Sequence, residues 1–128
     1  MSAMSDYLEN KVLDHVLGTS AYTFPSQAYL GLSTGSLGDD ASGTELSGNN
    51  YSRVAINFDA ASGGTTDNSA AVEFAAATGS WGTISHFGIY DASSSGNLLI
   101  HGAFSASKTI ATGDILRVAA GDLGITAA

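Results

Sequence analysis

The stretch Gly79–Ser107, GSWGTISHFGIYDASSSGNLLIHGAFSAS, constrains the fold more than any other part of the chain. It holds two strand-length runs, Thr83–Asp91 and Asn97–Phe104, both rich in β-branched and aromatic residues. Turn formers bound them: Ser80 and Gly82 before, Ser93 to Gly96 between, Lys108 and Thr109 after. The pattern is that of a long β-hairpin. In the first arm Ser85, Phe87, Ile89 and Asp91 share one face, and Ile84, His86, Gly88 and Tyr90 share the other. In the second, Leu98, Ile100 and Phe104 oppose Leu99 and Ala103. Neither arm has a clean polar face. Strands apolar on both faces lie inside a sheet or between a sheet and a covering layer. Phe87, Ile89, Leu98 and Ile100 are therefore the expected core residues. Pairing Asp91 with Leu98 would set His101 opposite Gly88 and His86 opposite Ala103, with both imidazoles on one face; a one-residue slip would separate them.

The rest of the chain reads as one helix followed by β-structure. Ser5 can cap a helix, Asp6 and Glu9 sit near its positive end, and Gly18 suits its C-terminal stop, so a helix is expected over residues 5–18. Leu8, Val12 and Val16, flanked by Leu13 and Leu17, give it an apolar stripe wide enough to dock. Met1 to Met4 are expected to be mobile unless a neighbour holds them. Strands are expected over residues 28–126: Ala28–Ser33, Tyr51–Asp59, Ala70–Ala75, the two hairpin arms, Ile115–Ala119 and Leu123–Thr126. A long acidic loop, Thr34–Asn50, and a turn, Ala60–Asn68, separate the early ones. No strand–helix alternation occurs, which excludes a parallel α/β sheet. The expected fold is a mainly β, antiparallel β-sandwich, jelly-roll or immunoglobulin-like, with one N-terminal α-helix, forming a single domain over residues 1–128.

Composition narrows the function classes. The 128 residues carry a formal net charge of −8, with only Lys11, Arg53, Lys108 and Arg117 as fixed cations. Four scattered cations cannot form the basic stripe that nucleic-acid binding needs. Charged residues are 12% of the chain, against about 25% in typical domains. A monomer of this mass should expose roughly 6,000 Å², so much of the surface must be Gly, Ala, Ser, Thr and Asn. Such flanks permit close approach of copies without burial of unpaired charge. There is no cysteine, hence no disulfide and no thiolate metal site. No apolar run reaches membrane-spanning length and no basic segment marks a secretory signal, so synthesis in the cytosol is expected.

Candidate chemistry is sparse. Gly31-Leu32-Ser33-Thr34-Gly35 matches the G-x-S-x-G nucleophile elbow, but that motif needs a helix after the serine and Ser36 to Asp40 read as loop. His86 and His101 lack a third ligand for a metal. Asp39, Asp40 and Glu45 could gather calcium but match no calcium-loop spacing. Trp81 could stack a sugar, although a lone tryptophan at a sheet edge more often caps the core. No catalytic, cofactor or metal residue is therefore assigned, and no enzyme activity is expected. His15 is expected to face solvent or an interface.

Several segments carry a resemblance: Tyr7-Leu8-Glu9-Asn10-Lys11-Val12-Leu13-Asp14-His15, Tyr29-Leu30-Gly31-Leu32, Gly43-Thr44-Glu45-Leu46-Ser47-Gly48, Tyr51-Ser52-Arg53, Ser80-Trp81-Gly82-Thr83, Phe87-Gly88-Ile89-Tyr90-Asp91, Gly96-Asn97-Leu98-Leu99 and Ala120-Gly121-Asp122-Leu123. Together they span nearly the whole chain, which resembles a family of small virion proteins of tailed bacteriophages. The resemblance implies a structural role without catalysis, as a capsid decoration (cement) protein that stabilises the head shell or as a tail-fibre or baseplate protein. The absence of a shaft-like repeat and the docking helix at the start favour the cement reading. The expected partners are copies of itself, as a trimer, and the major capsid protein or other virion proteins, with no nucleic acid and no membrane. Leu8, Val12 and Val16 on the helix, and Asp39, Asp40 and Glu45 in the long loop, are the expected interface residues.

Overall fold

The computed structural model describes residues 2–127; Met1, at the start of the segment expected to be mobile, and Ala128 lie outside them. In chain order the elements are β1 (Ser2–Met4), α1 (Asp6–Val16), β2 (Ala28–Ser33), β3 (Val54–Ile56), β4 (Thr65–Asp67), β5 (Val72–Glu73), β6 (Gly82–Tyr90), β7 (Leu98–Ile110), β8 (Arg117–Val118) and β9 (Gly124–Thr126). The protein is mainly β, with one short N-terminal helix. A five-stranded antiparallel sheet, ordered β1-β7-β6-β2-β3, has the hairpin β6–β7 at its centre. Two short ladders, β4–β9 and β5–β8, complete a sandwich-like arrangement. One apolar cluster joins the layers. Leu30, Leu32, Phe87 and Ile89 come from the sheet, and Val72, Phe74, Leu116, Val118, Leu123 and Ile125 from the ladders and their flanks.

The hairpin keeps the expected register over its inner half. Gly88 pairs with His101 and His86 with Ala103. At the turn end a bulge moves Tyr90 onto Leu98, where Asp91 had been expected. Leu98 therefore leaves the main core and joins Leu37 and Tyr90 in a second apolar cluster. The arms also run further than the turn formers implied. Lys108 and Thr109 lie within β7, opposite Ile84 and Thr83, and the Thr83 and Thr109 hydroxyls are 3.0 Å apart. Such a cross-strand threonine pair stabilises a ladder that threonine at a turn would not.

Three further segments are decided by pairing. Residues 2–4 are held by a neighbouring strand, the exception the expectation allowed: they form β1, pairing Ser2 with Gly102, Ala3 with His101 and Met4 with Ile100. An edge position on β7 was open, and pairing satisfies backbone groups that would otherwise need solvent. The turn Ala60–Asn68 contains β4, which pairs with β9 near the chain's end, a partner too distant in sequence to read locally. The strand Tyr51–Asp59 shrinks to Val54–Ile56 because its would-be partner is already engaged. The Leu32 N–H donates to the Tyr51 hydroxyl at 2.9 Å, and the Leu32 carbonyl accepts from the Leu46 N–H at 2.9 Å. The expected strands Ala70–Ala75, Ile115–Ala119 and Leu123–Thr126 similarly reduce to β5, β8 and β9.

The helix starts and stops as its sequence dictates. The Ser5 hydroxyl accepts from the Leu8 N–H at 3.2 Å, and Gly18 adopts φ +79° just past the end. Ser5 is 1% exposed, and its N–H donates to the Leu99 carbonyl at 2.8 Å, tying the helix start to β7. Yet no residue of α1 is buried. The accessible surface, 6962 Å², exceeds the roughly 6,000 Å² expected for this mass, as an outlying helix requires.

Candidate functional site

Two regions hold the side chains that sequence reasoning singled out. The first is the loop 34–50. It folds back over the face of the sheet opposite the main core, and Leu37 packs against Tyr90 and Leu98. Glycines make room for it: a Cβ on Gly31 would stand 2.7 Å from Glu45 Oε2 and 2.8 Å from Tyr90 Cε1. A Cβ on Gly88 would stand 2.7 Å from Leu37 Cδ1.

Arg53 locks this loop. Its Nε and Nη2 donate to the Glu45 carboxylate at 2.7–3.1 Å, and its Nη1 donates to the carbonyls of Ala92 at 2.9 Å and Ser95 at 2.8 Å. The guanidinium carbon lies 3.5 Å from the Tyr90 ring centroid. The Arg53 side chain is only 9% exposed and that of Glu45 21%. The Tyr51 hydroxyl donates to the same carboxylate. One arginine thus joins the long loop, the hairpin turn and the sheet. Burial pulls the Arg53 pKa down, but the hydrogen bonds and charge of Glu45 outweigh it and the net shift is upward. Burial first, and then the Glu45 bond, push the Tyr51 pKa well above its usual value. Burial and the Glu45 charge push Tyr90 up to about 12. These shifts favour a neutral phenol beside a fixed ion pair, the protonation state of a structural brace.

Glu45 therefore faces inward onto Arg53. Asp39 Oδ1 lies 2.7 Å from His101 Nε2, positioned to accept a hydrogen bond from the ring N–H, which latches the loop tip to β7. Asp40 is exposed, and the Ser42 side chain and N–H hold its pKa below the usual carboxylate range. The three acids do not converge. Among the described residues no group of three or more His, Cys, Asp or Glu is arranged to hold a metal ion. His86 Nδ1 lies 2.7 Å from the Ser85 hydroxyl, on the same face as His101 but with a different partner.

The remaining motif residues have structural roles. Ser33 is 2% exposed and donates to the Thr44 carbonyl at 2.8 Å, and no helix follows it, so the elbow geometry is absent. Trp81 is buried: its indole N–H donates to the Asn49 carbonyl at 2.9 Å, and its ring meets Tyr51 and Phe74 edge-on. It caps the core and offers no face to a sugar. Sequence reasoning counted Arg53 as one of four scattered cations and Glu45 as an interface residue of the long loop. The usable signal was an arginine at the head of a strand in a chain with four cations, where every buried carboxylate must find one of them.

The second region is the N-terminal arm, α1 with its connector to β2. Leu8 and Val12 are half-buried and line a small apolar groove against Met4, Ile100 and Ile125. The other side of the helix is bare. Leu13 is 56% exposed, Val16 71% and Leu17 74%, and Phe24 in the connector is 79% exposed. His15 is also exposed and accepts a hydrogen bond at Nδ1 from the Tyr22 N–H at 3.0 Å, folding the connector back on the helix. Among the described residues, four of the five exposed large apolar side chains thus lie on this one arm. Monomeric proteins seldom expose large apolar side chains in such a concentration. No helix among the described residues is long and apolar enough to cross a membrane.

The family model described as podophage GP4 fiber I protein gp80 matches residues 3–126. No curated protein matches the chain.

Proposed function

This chain belongs to the podophage GP4 fiber I protein gp80 family, and from that premise we propose that it serves as a fibre component of a tailed-phage virion, assembled through its N-terminal arm. It is a structural protein of the virion, associated with other virion components. The family's name favours the tail-fibre alternative over head decoration, the reading that the missing shaft repeat and the docking helix had favoured. A docking helix suits a fibre subunit equally well. The match across nearly the whole chain supports a structural rather than catalytic role.

The exposure of Leu13, Val16, Leu17 and Phe24 is the observation that carries the assembly reading. Burying such side chains is worth roughly 1.5–3 kcal/mol each, so a free arm is strongly biased toward a partner. In this reading residues 5–18 dock and residues 28–126 form the β-body. Of the six expected interface residues, Val16 belongs to the bare face, Leu8 and Val12 brace the helix against the body, and Asp39 and Asp40 stay at the surface. Glu45 acts inside the chain through Arg53. Self-association is part of the proposal. The trimer was expected together with the cement reading, so for a fibre light scattering measures the copy number.

Immunogold labelling of intact particles tests the location. Gold on tail fibres is expected. Gold on the head shell, with none on the tail, would replace the fibre reading with the cement one.

A further inference from the structure

We propose that the N-terminal arm of one copy seats its bare face on a cleft beneath the β7 bulge of the next copy, giving a head-to-tail self-association. This rests on the arm being an assembly element, and it adds where the arm binds.

The cleft is built by a break in the hairpin. Between the pairs His86–Ala103 and Ile84–Lys108, Ser85 alone faces Phe104, Ser105, Ala106 and Ser107. The longer arm must arch outward, and the arch uncovers a cleft of about 360 Å³. Its apolar lining is Ile84, Phe104, Leu116 and Val118, and Lys108 and Arg117 stand among its polar lining residues. Side chains can enter such a volume, but a whole helix, some 10–12 Å across, cannot. The fifth exposed apolar residue, Ile115 at 53%, lies next to Leu116 on the same segment.

Charge matches the two surfaces. The chain has four fixed cations, and two of them line this one cleft. Lys108 has no ion-pair partner among the described residues, and Arg117 has only a loose contact to Glu73 at 3.9 Å with both side chains over half exposed. Asp122 is the one acid among the lining residues. On the arm, helical spacing places Asp6 and Glu9 on the face that carries Leu13 and Leu17. That face is acidic toward its start and apolar toward its end. It complements a cleft with an apolar floor and two cations. In an acidic protein at net charge −8, copies repel at most orientations, and this is a contact at which opposite charges meet. The two patches differ, so the contact is heterologous and closes into a ring or extends as a filament.

Heterologous contact predicts complementation. The arm variant Leu13→Ser/Leu17→Ser/Phe24→Ser keeps its cleft, and the cleft variant Lys108→Glu/Arg117→Glu keeps its arm. Sedimentation velocity should show wild-type chains associating, more weakly at high salt, and each variant self-associating at least tenfold more weakly. Circular dichroism should match wild type, since all five positions are at the surface, and Arg117→Gln replaces Arg117→Glu should the like-charge pair with Glu73 lower the urea midpoint. Mixing the variants should restore one contact per pair and give a one-to-one dimer. A wild-type chain that stays monomeric at every concentration overturns the proposal, and so does a mixture that shows no dimer. If the arm variant alone loses association, the arm binds elsewhere and the cleft assignment falls, while the fibre reading is untouched. Saturable binding of a galacturonic-acid oligomer to the wild-type chain, lost in the cleft variant and without self-association, would instead make the cleft a glycan site.

Discussion

Helix α1 and the loop 34–50 invert the usual relation between regularity and burial. The helix has eleven residues, a capped start and a glycine stop, yet it fully buries none of its side chains and half-buries only Tyr7, Leu8 and Val12. The loop has no regular element at all, yet it buries Leu37, half-buries Glu45 and Leu46, and covers one face of the central sheet. A helix satisfies its own backbone, so it can stand away from the body at little cost. A loop cannot. Its polar groups need partners, and here the sheet and its own turns provide them. The Leu46 N–H bonds to the Leu32 carbonyl, the Gly43 N–H to the Leu37 carbonyl, and the Thr44 carbonyl accepts from Ser33. Backbone regularity reports local hydrogen bonding; burial reports where apolar and charged side chains find company.

The largest expected effect lies in the loop. Arg53→Ala leaves the largely buried Glu45 carboxylate with the Tyr51 hydroxyl but no cation, and should cost about 3–5 kcal/mol by urea denaturation. Early proteolytic cleavage within residues 34–50 should accompany it. A loss below about 1 kcal/mol would mean the loop is held mainly by packing.

Packing is tested by Leu37→Ala, which empties the space between Tyr90 and Leu98 and should cost about 2–5 kcal/mol. Should this variant be nearly neutral in the same denaturation series, the loop is a lid resting on the sheet and not part of the fold.

Alkaline titration sharpens the comparison without mutation. Tyr90 is pushed up to about 12 in the folded protein, against about 10 in the unfolded chain. The folded state therefore holds its proton longer. The corresponding stability is fully present below pH 10 and is lost as pH rises from about 10 through 12, on the order of 2 kcal/mol. Tyr51 shifts in the same direction and adds to the loss. Tyr90→Phe should flatten the profile, and an unchanged slope in that variant would assign the loss to other groups.

The smallest stability effect is expected in the helix. Leu13→Ser/Leu17→Ser should change the unfolding free energy by no more than about 0.5 kcal/mol per site, because neither side chain is buried. Its effect belongs to assembly. Point substitutions are the right tool, since deleting the first eighteen residues would also remove β1 from the sheet. A destabilisation of several kcal/mol would make the bare face an internal contact and erase the contrast with the loop.

The sequence alone determined the helix and its caps, the strand β2, the central hairpin and the antiparallel β class, and it offered the hairpin's inner register as one of two. All of these follow from periodicity, β-branched content and turn residues within short windows. Buried Trp81 and the structural Ser33 were legible as well, from the missing helix after the serine and the tryptophan's place at a sheet edge. Tertiary structure alone decided the rest. β1 pairs with residues almost a hundred positions away, and β4 with the chain's end, so no local pattern announces either. The bulge opposite Ser85 arises because two arms of unequal length must both stay paired at their ends. The bond of Glu45 to Arg53 depends on a loop turning back over Gly31, a close approach that only a glycine permits. A carboxylate has the same sequence signature whether it meets water, a cation or a second chain. Its neighbours in space, set by the packing of distant segments, decide which.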